Sequence, residues 1–297
     1  MSNLFSLLTE QRNPASAHLD SVSTLELVRI MNNEDRGVPD AVAAQLEPIA
    51  RAIDATAERL EQGGRLFYIG AGTSGRLGVL DASECPPTFS VSPELVQGII
   101  AGGEPALSRA TEASEDNPAL GEQDLLARGL NGADVLTGIA ASGRTPYVLG
   151  AMKKARELGA LTIGIACSPD SPLAALADIP IEVLTGPEVV TGSTRMKAGT
   201  ATKLVLNMLS TGVMVRLGYV YENLMVNVQP KNEKLVDRSI RIVQQATGLD
   251  RSAAERLFHQ TRDVKVSILM AKLGVDADKA RSLLAAARGR LRQALQS

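Results

Sequence analysis

The sequence predicts an α/β protein: a parallel five-stranded sheet flanked by helices, with a small helical bundle at the C-terminal end. Three observations predict it. Five short apolar runs of strand length lie between residues 66 and 184, most of them separated by helical patterns, and that alternation marks a parallel sheet. Two of the runs end in glycine turns that carry hydroxyls and lead into helical sequence. From residue 237 to 297 the apolar pattern is helical throughout.

Residues 1 to about 40 read as a polar arm with weak helical pieces. From Pro39 to Gln62, apolar residues recur at helical spacing (Val42, Leu46, Ile49, Ile53, Leu60), and Gly63-Gly64 supplies a stop. The strand candidates are Leu66–Ile69, Val96–Ile100, Val135–Ala140, Leu161–Ala166 and Ile179–Leu184. Lys197–Leu217 reads as one long helix, apolar on most sides, suited to burial against the sheet or a second subunit. Beyond Pro230 three or four short helices are expected, with Asp250 and Asp276 placed after glycine turns to cap them. The expected division is an arm (1–40), an α/β domain (41–230) and the bundle (231–297).

The most informative stretch is LFYIGAGTSG at 66–75. A strand, a glycine turn with Thr73 and Ser74, and a helix start make a compact anion site, because glycine lets the backbone approach a ligand and free N–H groups favour phosphate. The spacing is read as neither a Rossmann G-x-G-x-x-G nor, with no Gly-Lys-Ser/Thr following, a P-loop, and hydroxyls suit a phosphate or sugar better than a dinucleotide. A second such turn follows the run at 135–140, where Ser142, Gly143, Arg144 and Thr145 precede Pro146 at a first helical position. Turns at the carboxyl ends of parallel strands converge on one crevice.

Net charge of −2 and 3% aromatics argue against nucleic-acid binding and base-stacking platforms. The charge is uneven: residues 237–297 hold 12 Lys and Arg against 6 Asp and Glu, a surplus that reads as solvated helix faces. Cys85 and Cys167 have no metal or redox spacing, which fits reduced thiols in a cytosolic protein. No signal-peptide pattern opens the chain and no apolar run reaches 18 residues.

Two motifs, GTSGR at 72–76 and SGRTP at 142–146, resemble the sugar-phosphate loops of the SIS (sugar isomerase) family. Three more stretches narrow the resemblance to the N-acetylmuramic acid 6-phosphate etherases: LDASECPPTF at 80–89, ATEASEDN at 110–117 and TGSTRMKAGT at 191–200. The likeness runs over nearly the whole chain. It implies an SIS-type sheet and a carbon–oxygen lyase that removes D-lactate from C3 of the phosphosugar in cell-wall amino sugar catabolism and recycling. It implies no metal and no organic cofactor, a cytoplasmic location, and a homodimer with sites near the subunit boundary. By resemblance Glu84 is the proton donor and Glu115 the second acid–base group. Thr73, Ser74, Ser142, Arg144, Thr145, Ser193 and Thr194 are the expected substrate-binding residues.

The chemistry suits carboxylates. Ring opening gives a C1 aldehyde that acidifies the C2 proton, so lactate leaves by elimination and water then adds; this needs a base and an acid. The two histidines, His18 and His259, lie far from both turns in sequence and read as surface or packing residues. Glu84 is expected to follow the first-loop helix and, with Glu115, to stand at the carboxyl edge of the sheet; Glu188 is a reserve. Lys197 and Arg195 are candidates for an enolate or the lactyl carboxylate, or simply begin a helix. Two other readings share the loops: an SIS aldose–ketose isomerase, and a phosphosugar-sensing regulator akin to the glucokinase regulatory protein. Released lactate separates them from a lyase.

Overall fold

Fully buried strands make the centre of the fold. A computed structural model of the chain describes residues 7–109, 114–230 and 232–297. The strands are β1 (Leu66–Gly70), β2 (Val96–Ile100), β3 (Val135–Ile139), β4 (Leu161–Ala166) and β5 (Ile179–Glu182). They pair in parallel in the order β2-β1-β3-β4-β5, with Leu66 opposite Val96 on one side and Val135 on the other. Every residue of β1 and β3 is buried, which explains why these strands read as continuous apolar runs rather than alternating ones. The order reverses between β1 and β3, so the crevice beyond their carboxyl ends is the switch point where α/β sheets bind ligands.

Helices fill the connections. They are α1 (Thr24–Asp35), α2 (Val38–Ala43), α3 (Leu46–Glu61), α4 (Gly72–Phe89), α5 (Pro118–Ala127), α6 (Pro146–Glu157), α7 (Pro172–Leu176) and α8 (Lys197–Arg216). Pro146 opens α6, as expected. The helix expected over 39–62 is two, split at Ala44-Gln45 because Pro48 cannot continue a ladder and is tolerated only in the first turn of α3. A second difference matters more. α4 starts at Gly72, inside the glycine turn, and runs through Pro86 and Pro87 to Phe89, so Glu84 lies within the helix and not after it.

The chain forms two compact units: residues up to Ser83 with Pro93–Ser210, and Glu84–Ser92 with Thr211–Ser297. In the first, Phe67, Ile69, Leu136, Tyr147, Val148 and Met152 pack at the centre of one apolar cluster. Buried Asp81 of α4 accepts hydrogen bonds from Asn207 (2.9 Å) and Ser210 (3.2 Å) of α8. Burial pushes its carboxyl up, and these donors oppose that shift. The second unit contains α9 (Glu233–Thr247), α10 (Arg251–Thr261), α11 (Val264–Leu273), α12 (Ala277–Ala286) and α13 (Leu291–Ala294), around Phe258, Ile268 and Leu269. These are five described helices, where three or four were expected. Asp250 and Asp276 accept from the N–H groups of Ala253 and Lys279, the caps their positions suggest, each worth about 1 kcal/mol.

Candidate active site

The first-turn N–H groups of α4 and α6 open at the switch point, between the ends of β1 and β3. Close packing puts them there. A Cβ on Gly70 would lie 2.7 Å from the Gly75 nitrogen, and one on Gly75 would lie 2.6 Å from the Gly70 oxygen, so only glycine lets α4 start hard against β1. Gly70, Gly72 and Gly75 do stand at G-x-G-x-x-G spacing, so spacing alone does not exclude a dinucleotide. What favours a phosphosugar is the chemistry around the loop.

A cavity of about 300 Å3 occupies this place, and its lining gathers the expected residues. Thr73 and Ser74 come from the start of α4, Ser142 and Thr145 from the β3–α6 turn, and Thr194 from the turn before α8. Glu115 lines the same cavity. Its backbone oxygen accepts from the Tyr147 N–H at 3.0 Å, and its Oε1 accepts from the Thr145 hydroxyl at 3.0 Å. The Thr145 side chain thus orients a carboxylate instead of capping α6. Of the ATEASEDN stretch, residues 110–113 lie outside the described residues.

Two expected binding residues stand off the cavity lining. The half-buried Ser193 donates its N–H to Val190 in a turn that precedes α8 by three residues, so it is not at the helix start. Arg144 donates its backbone N–H to Ser142 Oγ at 3.3 Å, and its buried Nε has no partner among the described residues. Glu84 stands twelve residues beyond Gly72 on α4. At 1.5 Å per residue that is about 18 Å of rise, so it is not at the carboxyl edge beside its own chain's loop, as the sequence reading expected. Its side chain is exposed.

The reserve candidates have other work. Glu188, 1% exposed, accepts from the N–H groups of Lys197 (3.0 Å) and Ala198 (2.9 Å) and so caps α8. Lys197 Nζ binds Glu34 Oε2 at 2.7 Å, which holds the Glu34 carboxyl below its usual value. Arg195 is exposed. His259 lies exposed beside Glu255. Burial pushes the Cys167 thiol up to about 12, so it is an inert packing residue.

The cavity contains two residues that the sequence did not flag, Thr9 and Glu10 of the arm. They sit in a single 3-10 turn, Leu8–Glu10, and carry no motif.

A doubly wound sheet whose switch-point cavity is rimmed by hydroxyls and helix starts defines an SIS-type sugar-phosphate domain. Two family models agree: "Glucokinase regulatory protein N-terminal SIS domain" matches residues 48–156, and "SIS domain" matches residues 124–212. Solved neighbours share the fold. They include a putative phosphosugar isomerase from Bacteroides fragilis (TM-score 0.52, 21% identity, 68% of this chain and 95% of that one). Another is a phosphoheptose isomerase from Neisseria gonorrhoeae (TM-score 0.51, 19% identity, 64% and 98%). Whole-chain relatives are more specific. The N-acetylmuramic acid 6-phosphate etherase of Serratia proteamaculans is 57% identical over 99% of both chains. That of Yersinia pestis is 56% identical over 99% of this chain and 100% of its own. The chain belongs to the N-acetylmuramic acid 6-phosphate etherase family.

Proposed function

We propose that the protein cleaves the D-lactyl ether of N-acetylmuramic acid 6-phosphate, giving N-acetylglucosamine 6-phosphate and D-lactate, as a carbon–oxygen lyase of amino sugar catabolism. The observation that carries this reading is Glu115, held by Thr145 in a cavity of hydroxyls at two helix starts, in a chain 57% identical to an etherase. The phosphate lies against the first turns of α4 and α6, bound by N–H groups and by Thr73, Ser74 and Ser142, while Thr194, in the turn before α8, binds a sugar hydroxyl. Arg144 and Ser193, in the turns beside the cavity, are the remaining candidates for contact with the substrate. The open-chain aldehyde at C1 acidifies the C2 proton. A carboxylate takes that proton, the C3–O bond breaks, and lactate leaves with a proton from an acid. Water then adds across the C2–C3 double bond, its oxygen to C3 and a proton to C2. Glu115, which lines the cavity and is held there by the Thr145 hydroxyl, is assigned as the base. Glu84 is the acid.

Glu84 reaches a cavity from a second copy. Its distance along α4 from its own loop supports this, and so does Leu80, 55% exposed one turn before it on the same helix. Helix α1 also buries none of its residues, leaving Leu25 and Val28 exposed. The functional unit is therefore a homodimer in which the partner subunit's Glu84 faces Glu115. No helix among the described residues is long and apolar enough to cross a membrane, and the cytoplasm is the compartment that fits the substrate.

Lactate release from N-acetylmuramic acid 6-phosphate tests the reaction, and mixed dimers test the site. Glu84→Gln and Glu115→Gln are each inactive alone. In a heterodimer of the two, one cavity retains both carboxylates. Random assortment makes half the dimers mixed, so about a quarter of wild-type activity returns on refolding them together. No recovery would mean that Glu84 acts in its own chain or not at all.

A further inference from the structure

The arm offers the site more than a boundary. We infer that Thr9 and Glu10 bind the sugar of the phosphosugar, its hydroxyl and acetamido groups, on the wall of the cavity facing away from the phosphate. This rests on the phosphosugar reading above and adds two residues to it.

Three observations lead there. First, the arm is pinned and is a fixed part of the cavity wall. Asn13 Nδ2 donates to Glu34 (2.6 Å) and to the Pro187 carbonyl (3.1 Å), and Ser16 Oγ donates to the Val189 carbonyl at 2.7 Å. Thr9 and Glu10 lie four and three residues before Asn13 and line the cavity with Gly72, Thr73, Ser74 and Ser142. Second, Thr9 is 2% exposed and its hydroxyl has no partner among the described residues. Buried hydroxyls without partners are rare, and a ligand hydroxyl or amide supplies one here. Third, the turn opposite makes room for Glu10. Gly192 has φ +77°, and a Cβ there would lie 3.2 Å from Glu10 Oε2. The side-chain-free residue lets the carboxylate rest against a turn that also lines the cavity.

Charge then assigns the contents of each wall. An ionised carboxylate only accepts hydrogen bonds, and it repels a phosphate or a lactyl carboxylate. The helix starts favour the anion. The donors of the sugar, its hydroxyls and acetamido N–H, are therefore the groups that face Glu10. Thr9, both donor and acceptor, pairs with a hydroxyl or the acetamido oxygen.

The test uses full-length Glu10→Ala, Glu10→Gln, Thr9→Val and Gly192→Ala, the last leaving the arm sequence intact while displacing Glu10. Lactate release is measured with N-acetylmuramic acid 6-phosphate, and inhibition with N-acetylglucosamine 6-phosphate and with inorganic phosphate. Losing one charge-assisted hydrogen bond raises KM about ten-fold or more. The expected result is that rise for Glu10→Ala, an equal weakening of inhibition by the phosphosugar, and inhibition by inorganic phosphate unchanged within about two-fold. Glu10→Gln, which keeps an accepting oxygen, recovers part of the loss. Unchanged KM in all four variants overturns the inference. So does an equal change for inorganic phosphate, which would put Glu10 beside the phosphate. A fall in kcat at constant KM would make Glu10 an acid–base group and also overturn it. If wild-type protein released no lactate, the activity reading would fail by itself, and the same comparison made by calorimetric binding of the phosphosugar would still decide the arm's role.

Discussion

Replacing Glu188 by alanine separates a helix cap from a catalytic carboxylate. Its two oxygens accept from the Lys197 and Ala198 N–H groups at 3.0 and 2.9 Å, in a site 1% exposed. Each hydrogen bond to a charged group is worth about 1.5–3 kcal/mol, and the variant leaves two buried donors without an acceptor, so the loss should reach about 3–5 kcal/mol. With a urea dependence of about 3 kcal/mol/M, the unfolding midpoint falls by roughly 1 M or more. Glu188→Gln keeps one accepting oxygen and should lose about half as much. The assay pairs urea unfolding with lactate release by the folded fraction. Release per folded molecule should stay within a few-fold of wild type. An unchanged midpoint with release down about 100-fold or more would refute the reasoning and return Glu188 to the list of acid–base groups.

Glu115→Gln and Glu84→Gln should each lower kcat for lactate release by about 100- to 10,000-fold with the urea midpoint nearly unchanged, and near-normal turnover would remove that residue from the mechanism. Ser74→Ala or Ser142→Ala should raise KM about ten-fold or more for the 6-phosphate; wild-type protein that processed the unphosphorylated sugar equally well would show that these loops do not hold phosphate. The Lys197–Glu34 pair makes a pH prediction. Because Lys197 lowers the Glu34 carboxyl, the pair stabilises the fold above the ordinary value of 4.5, and this is lost as pH falls through the lowered value. Lys197→Met should therefore flatten the drop in urea midpoint between neutral pH and about pH 3.5, whereas a parallel drop in both proteins would deny the pair that role.

Much of the sheet was legible because its strands are buried on both faces. Val96–Ile100 and Leu161–Ala166 coincide with their apolar runs, and the other three differ by one or two residues at an end. The two hydroxyl turns were legible for a local reason: glycine, hydroxyl and helix start are adjacent in sequence. What was hidden depends on distance along the chain. Lys197 meets Glu34 across 163 residues, and nothing near either announces the pair. Glu188 looked like a free carboxylate because its acceptor role is set by the turn that follows it. α4 runs through Pro86-Pro87, a pair that reads as punctuation, so the sequence pattern puts Glu84 after a helix that in fact contains it. Thr9 and Glu10 belong to an arm whose sequence is merely polar; only Asn13 and Ser16, by anchoring it, bring them to the cavity.

In the proposed reaction lactate leaves by elimination from the sugar, with water entering at C3. Turnover of N-acetylmuramic acid 6-phosphate in 18O-labelled water, followed by mass analysis of both products, tests it most directly. Elimination followed by addition puts one labelled oxygen at C3 of N-acetylglucosamine 6-phosphate and none in the ether oxygen of the released lactate. Label in that lactate oxygen, with an unlabelled sugar C3, would place the attack on the lactyl carbon and contradict it.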